Sequence, residues 1–318
     1  MRRPMRRREL FVRHDRNPIL TAADWPYPVN AVFNPAAAVV DGETLLLARV
    51  EDLRGISHLS VARSANGVDG WTVDAEPLLA PTDGIESEQW GLEDPRVVWL
   101  PELERWAITC TAYGPPGPAV YLALTEDFRT VERHGVIKGA EDKNAALLPE
   151  RIDGKWILFH RPSHQAAAGS SGDIALSRSD DLTSWSAPEH VLGPRDGAWW
   201  DSRRVGIGPP PMRTDHGWLI VYHGVKDTVS GGLYRIGLAL ADLDEPTRIS
   251  HRLPEWIFGP FAPYERVGDV ANAVFPCGLL HDEASGHLRL YYGAADTTIA
   301  LATAQLDELL GAVLAAPA

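Results

Sequence analysis

The chain is expected to be all-β, folded as a five-bladed β-propeller. Three observations predict this: little helical periodicity, a strand-hairpin unit that recurs five times, and unusual polar residues at matching places in successive units. Short apolar runs rich in Val, Leu, Ile, Trp and Tyr alternate with Gly, Pro, Asp and Asn along almost the whole length. Only Thr303 to Val313 reads as a helix. Many short strands are compatible with a sandwich, a barrel or a propeller, so the period decides between them.

Five apolar strands end in LLLARVED, WAITCTAYG, WILFHRPSH, WLIVYHGVK and LRLYYGAAD. Each is followed by a second strand and a polar turn: LSVARSANGVDGW, YLALTEDFRT, IALSRSDDLTSW, IGLALADLDEP and IALATAQLDEL. Equivalent small or aliphatic positions near Ala62, Ala123, Leu176, Ala239 and Ala302 recur every 53 to 63 residues. An earlier strand precedes each hairpin, giving several antiparallel strands per unit, the size of a propeller blade. The predicted organisation is a basic arm over residues 1–16 and a single catalytic propeller over 17–318.

At 318 residues the chain is long enough for one large closed architecture. Hydrophobic residues make up 45% and charged residues 23%, as in an ordinary globular protein. The formal net charge of −13 argues against nucleic acid as a partner, apart from the short Arg2, Arg3, Arg6, Arg7, Arg8 stretch, read as a solvated arm. No apolar core of a secretory signal follows those arginines, and the apolar runs are too short for a membrane helix. Cys110 and Cys277 lie in separate apolar segments without metal-ligand spacing, which fits two buried thiols in a reducing cytoplasm. A homo-oligomer held by the arm and the C-terminal helix is a further possibility left open by the sequence.

Aligned by the repeat, Asn34, Asp94, Lys143 with Asn144, Arg203 with Arg204, and Asp269 with Asn272 stand at one level. Arg49, Tyr113, Arg161, His223 and Asp296 stand at the ends of the following strands. Charges converging on one axis need partners: either each other, as blade-to-blade salt bridges, or a polar anionic ligand. Arginine forks and a lysine point charge suit phosphate, and Arg49, Lys143, Arg161 and His223 form the candidate set. Without a phosphate-cradling glycine loop or an acidic cluster for Mg²⁺, nucleotide chemistry fits poorly. Inorganic phosphate or a phosphosugar fits better; with phosphate as co-substrate, as phosphorolysis would have it, no metal or organic cofactor is called for.

Asp94, in WGLEDPRVV, is the candidate general acid, provided its surroundings favour the protonated form. Glu93 beside it is expected on the opposite face of an extended strand. An inverting hydrolase would need a second carboxylate to activate water, whereas a phosphate nucleophile would not. Tyr113 and Asn144, at the same inner level, are candidate substrate contacts. Trp71 and Trp185 read as packing residues at the repeated turn, while Trp90, Trp199 and Trp200 are open to sugar stacking or loop packing. His58, His164 and His216 read as surface or turn histidines.

The segments NPIL…VNAVFN, GLEDPRV, KNAALLPERIDGKWILFHRP, WLIVYHG, YERVGDVANAVFPCG and YYGAADT resemble glycoside hydrolase family 130, the β-mannoside phosphorylases. The resemblance runs from about Asn17 to Thr298 and preserves motif order. It implies a five-bladed propeller, a catalytic acid at Asp94 acting through the 3-hydroxyl of the bound mannosyl unit, and phosphate held by Arg49, Lys143, Arg161 and His223. It implies a mannosyl subsite at Asn30, Glu265 and Asp296. Relatives commonly carry Ser where Ala31 stands. Hydrolytic members have lost much of the basic set, which here is intact. The implied reaction is inverting phosphorolysis of a terminal β-mannosidic bond in a manno-oligosaccharide, releasing α-mannose 1-phosphate. A β-mannosidase on the same fold and a non-catalytic sugar-binding propeller are the alternatives.

Overall fold

In the computed structural model, described over residues 9–163 and 172–316, strands dominate and only two short α-helices occur, α1 (Pro263–Arg266) and α2 (Leu306–Leu314). The strands group into five antiparallel units. The first holds β2 (Ala31–Val40), β3 (Glu43–Glu51), β4 (Ser57–Ser64) and β5 (Thr72–Val73). The second holds β6 (Gly91–Leu100), β7 (Arg105–Tyr113), β8 (Ala119–Thr125) and β9 (Glu132–Lys138). The third holds β10 (Asp142–Leu147), β11 (Trp156–Pro162), β12 (Ile174–Ser179) and β13 (Glu189–Leu192). The fourth holds β14 (Arg204–Ile207), β15 (Met212–Thr214), β16 (Gly217–Thr228), β17 (Gly231–Ala241) and β18 (Ile249–Arg252). The fifth holds β19 (Val274–Asp282), β20 (His287–Ala294) and β21 (Thr298–Gln305), and its outer place is taken by β1 (Val12–Arg13).

Units one and two count as one sheet only because Ser57 pairs in parallel with Gly91. In unit four the strand that pairs with β16 is split into β14 and β15 around Pro209, Pro210 and Pro211, which cannot donate to a ladder. The repeat positions found in the sequence fall on β4, β8, β12, β17 and β21, and all five are fully buried. The polar turns after the first four of these strands share one device, whereas β21 runs directly into the helix that starts at Leu306 in place of the fifth expected turn. The side chains of Asn66, Asp127, Asp181 and Asp242 each accept two backbone N–H groups just downstream, which fixes the turn without secondary structure.

The apolar core is divided into separate clusters, and each lies between two consecutive units. One cluster joins unit five to unit one, packing Tyr291, Ile299 and Leu301 against Leu46, Ala48 and Val50. Another joins units four and five and is covered by α2 (Leu306–Leu314) through Leu309 and Val313. Strand alternation makes this possible: Leu46 faces one neighbouring unit and Leu47 the other. Trp71 packs edge-on against Tyr291 of the last unit, with ring centroids 6.5 Å apart, as its packing role requires.

Several expectations need correcting. Thr303 to Gln305 finish β21 rather than starting a helix, because they pair with β20 and α2 begins only at Leu306. His58 is buried and its Nε2 lies 2.8 Å from the Tyr27 hydroxyl, so it is a core histidine. His216 is exposed, whereas His164 and the first five arginines lie outside the described residues. Of the arm, residues 9–16 are described: Phe11 is buried against Phe258, and Val12 and Arg13 pair with Thr303 and Ala302. Among the described residues no helix is long and apolar enough to cross a membrane.

One side chain ties the units together through the middle. Arg96 of β6 is 1% exposed, and its guanidinium donates to the carbonyls of Asp94, Ile207 and Gly208 at 2.6, 3.2 and 3.0 Å. It therefore links unit two to unit four, which are not neighbours in the sequence. Each buried carbonyl stripped of its donor costs about 1–3 kcal/mol. Arg96→Ala is expected to lower unfolding free energy by about 3 kcal/mol in urea titration; a loss below about 1 kcal/mol would show that this link is unimportant.

Candidate active site

The strands that begin and end at one face of the five units surround a cavity of about 580 Å³. Three consecutive units feed it by the same backbone device. In β2, β6 and β10 the ladder slips by a bulge between Phe33 and Ala36, Glu93 and Arg96, and Lys143 and Ala146. The residues inside those bulges, Asn34, Asp94 and Asn144, have φ of 46°, 51° and 53°. Asn and Asp tolerate this left-handed conformation better than other side chains, and a bulge re-aims what it carries. All three line the cavity. The bulge also brings Glu93 into the same cavity beside Asp94, overturning the expectation that simple alternation would send it to the other face.

One wall carries the acids. Asp94 accepts from the Asn34 amide at 2.8 Å and from Arg49 at 3.1 Å, and Arg49 also reaches Glu93 at 3.0 Å. Arg49 is held in turn by the Ser57 hydroxyl at 2.9 Å. The facing wall, from units three and four, carries Lys143, Arg161, Arg204 and His223. Arg161 donates to the Asn144 side chain at 2.9 Å, and Arg204 donates to the Tyr234 hydroxyl. Behind Lys143 and Arg161, the carboxylate of Asp142 and the ring of His160 bond at 2.6 Å, which stiffens the strand pair that presents the two cations. The Nδ1 atom of His223 is buried without a hydrogen-bond partner among the described residues. Gly206 makes room for that ring: a Cβ there would lie 2.4 Å from His223 Cε1.

Electrostatics separate the titratable groups. Burial pushes the Asp94 carboxyl up, but Arg49, Arg96, the Asn34 hydrogen bond and Lys143 outweigh it and hold the group below its ordinary range. Glu93 is raised by burial, with Arg49 pulling the other way. Asp296 is raised by burial and by the Asp94 charge to about 7. On the facing wall, burial and the neighbouring cations depress Lys143, bring Arg161 down to about 10, and push His223 well below the ordinary imidazole range. The cavity therefore holds an ionised Asp94 opposite a crowd of mutually repelling cations and a neutral His223. Such a crowd is relieved by an anion.

The family model for glycoside hydrolase family 130, described as β-1,4-mannooligosaccharide phosphorylase, matches residues 5–314. The chain belongs to glycoside hydrolase family 130. A curated relative from Ruminococcus albus, named β-1,4-mannooligosaccharide phosphorylase, is 34% identical over 310 residues, covering 95% of this chain and 90% of its own. Among solved structures, the β-1,2-mannobiose phosphorylase from Listeria innocua in complex with β-1,2-mannobiose superposes with a TM-score of 0.86 at 31% identity, covering 96% and 99% of the two chains. Another, at TM-score 0.81 and 25% identity with 95% of each chain covered, is described as showing that the family contains glycoside hydrolases targeting β-1,2-mannosidic linkages in Candida mannan.

Within this family-130 chain the cavity gathers Arg49, Asp94, Lys143, Asn144, Arg161, His223 and Asp296 from the predicted site residues. Three others lie elsewhere. Glu265 is fully buried, and its carboxylate is occupied by Arg13, the Tyr292 hydroxyl and the backbone N–H groups of Phe261 and Ala262, so it braces the fold and is not brought to the cavity. Asn30 is at the rim, where its amide donates to Glu51 and Asp269. Tyr113 is also at the rim, 37% exposed, against Trp90. Trp200 is buried over Gly224 and Gly237, whose missing Cβ atoms make its slot, while Trp199 stays exposed beside Arg195.

The sequence reading assigned no role to Asn34 or Arg204, although both stood at the inner level of the repeat. Tyr234 and Phe275 line the cavity as well and carried no signal beyond an apolar strand. The raised Asp296 gives a stability test. A carboxyl whose folded value lies above its unfolded one binds more protons when folded, so stability falls as pH rises from about 4 through about 7. Asp296→Asn, which carries no charge to bury, is expected to match the parent near pH 4 and to exceed it by more than about 1 kcal/mol at pH 8 in denaturant titrations; equal stability across that range would contradict the raised value.

Proposed function

We propose that this enzyme cleaves a terminal β-mannosidic bond by inverting phosphorolysis, yielding α-mannose 1-phosphate and a shortened sugar. The observation that carries the reading is the opposition, in one cavity, of the Asp94 wall and the wall of Lys143, Arg161, Arg204 and His223. The five antiparallel units, with one apolar cluster between each consecutive pair, are read as five blades of a propeller, and the cavity as its central funnel. One catalytic body then spans residues 17–318, preceded by the short arm. The two free, buried cysteines fit a cytoplasmic setting.

In this scheme phosphate lies against Lys143, Arg161 and His223, with Arg204 as a fourth partner and the His223 Nδ1 atom available to it. Arg49 is the exception among the four predicted phosphate ligands, because its guanidinium is already engaged by Glu93 and Asp94. It serves better as the group that sets the charge of the acid. The phosphate oxygen attacks the anomeric carbon, the bond to the glycosidic oxygen breaks, and the departing oxygen receives the proton of Asp94 through the sugar 3-hydroxyl. Asn144 and Asp296 offer polar atoms to the mannosyl hydroxyls, with Asn30 and Tyr113 at the entrance.

The resting Asp94 is ionised, so it must gain a proton before it can act as an acid. A bound phosphate dianion offsets Lys143 and Arg161 and lifts the proton affinity of the carboxyl across the cavity. Positioning a dianion against an electron-rich sugar without solvent is where the cation wall contributes to rate. No metal or organic cofactor enters the scheme.

β-1,2- and β-1,4-mannobiose incubated with and without phosphate provide the test. Phosphate-dependent mannose 1-phosphate is expected, with kcat lowered about 10³-fold in Asp94→Asn and the phosphate KM raised at least about ten-fold in Arg161→Ala. Free mannose released equally without phosphate would identify a hydrolase and sink the phosphorolytic reading.

A further inference from the structure

The arm that precedes the first unit reaches the catalytic cavity through a continuous chain of bonds. Arg13 lies over the ring of Phe258, 4.2 Å from its centroid, and its guanidinium grips both oxygens of Glu265 at 2.7 and 2.9 Å. The same guanidinium donates to Glu9 at 2.6 Å and to the Gly259 carbonyl. Glu9 also accepts the Gly259 N–H at 3.0 Å, and the Leu10 N–H donates to the Ile257 carbonyl at 3.0 Å. The arm is thus fastened to β21 on one side and to residues 257–259 on the other.

Glu265 passes this restraint inward. Besides Arg13, its fully buried carboxylate accepts the Tyr292 hydroxyl at 2.7 Å and the N–H groups of Phe261 and Ala262 at 2.7 and 2.9 Å. These partners fix the start of α1, and the Glu265 carbonyl then accepts the Ala273 N–H at 3.1 Å. The segment between is largely exposed, yet Val270 and Ala273 line the cavity. It clamps Ala295 by both main-chain polar groups. The Ala295 N–H donates to the Ala273 carbonyl at 3.0 Å, and the Ala295 carbonyl accepts the Val270 N–H at 3.1 Å. Gly268 approaches so closely that a Cβ there would lie 2.4 Å from the Ala295 carbonyl oxygen.

The clamp has a strained turn to hold. Ala295 and Asp296 both have φ of 50°, and an alanine keeps to that left-handed region only where its surroundings force it. Asp296, the second residue of the turn, is the one that lines the cavity.

We propose that Arg13 and Glu265 are positioning residues for Asp296, so that the amino-terminal arm belongs to the sugar-binding machinery while touching neither sugar nor phosphate. The inference rests on the reading of Asp296 as a contact to the mannosyl hydroxyls. The chain of bonds ends in unit five, whereas Lys143 and Arg161 stand on β10 and β11 of unit three. Loosening the arm therefore weakens the hold on sugar and spares the hold on phosphate. A general loss of stability would not discriminate between the two substrates.

The test varies β-mannobiose and phosphate in turn for the parent, Arg13→Ala, Arg13→Lys and Glu265→Gln. Arg13→Ala strands a buried carboxylate, so Arg13→Lys, which keeps the charge and loses the two-pronged grip, is the variant expected to fold without difficulty. The sugar KM is expected to rise at least about ten-fold in Arg13→Ala and about three-fold in Arg13→Lys and Glu265→Gln, with the phosphate KM within about two-fold of the parent. Hydrogen exchange is expected to quicken in residues 262–275 and 294–298 of Arg13→Ala and Arg13→Lys, while units one to three keep the parental protection. An unchanged sugar KM, or an equal rise of both KM values, would overturn the inference. If the parent phosphorolyses neither β-1,4- nor β-1,2-mannobiose, the catalytic reading fails by itself and hydrogen exchange decides. Quickening confined to those two segments then supports the positioning role, and parental rates there, or quickening throughout the chain, overturn it.

Discussion

The guanidinium of Arg96 is the contact on which the catalytic arrangement hangs. It is buried between units two and four, donating to three backbone carbonyls and, among the described residues, to no carboxylate. A buried cation without a bonded counter-ion is expensive unless its donors find acceptors, and here each of its three nitrogens donates to main chain that cannot move away. Its positive field reaches Asp94, Arg161 and His223, lowering the proton affinity of each. One side chain thus contributes to both structure and electrostatics: it ties the Asp94 backbone to Ile207 and Gly208 and biases the cavity groups toward accepting negative charge.

Above that floor, the repeated bulge does the work of aiming. A regular strand would present every second side chain to the cavity, and Asn34, Asp94 and Asn144 would alternate with residues facing away. The slipped ladder with one left-handed residue concentrates polar atoms at the strand entrance, and it explains why Asn or Asp occupies the position in each case. The strain of a positive φ is small for these residues, and the hydrogen bond between Asn34 and Asp94 helps fix two of the three.

The repeat was legible because its physical cause is local. Ala62, Ala123, Leu176, Ala239 and Ala302 are buried at the same depth of equivalent strands, and the Asx turns that follow the first four use the same short-range hydrogen bonds. Much of the candidate site was legible for a related reason: charged residues embedded in apolar strands have few places to go. What escaped depended on geometry that spacing does not encode. Glu93 was misplaced because the bulge abolishes alternation at that point. Glu265 looked like a ligand because an isolated acid in a loop carries no sign of its partners, and Arg13, which claims it, lies near the other end of the sequence. Trp200 looked like Trp199, since the slot that buries it is made by two glycines far along the chain.

That same distance between partners has a consequence for how the chain comes to be folded. Val12 and Arg13 complete the last sheet by pairing with Thr303 and Ala302, and Arg13 is anchored by Glu265. During synthesis the short early strand therefore emerges long before its partners exist and stays unpaired while the intervening units assemble. Most contacts of the intervening units are to themselves and their neighbours, whereas the joins between the two ends of the chain, this strand pair and the cluster between units five and one, span almost the whole sequence and carry the largest loop-closure entropy. The strand pair is a clasp fastened late, after residues 298–305 have left the ribosome, and until then the cluster between the last unit and the first stays open to water.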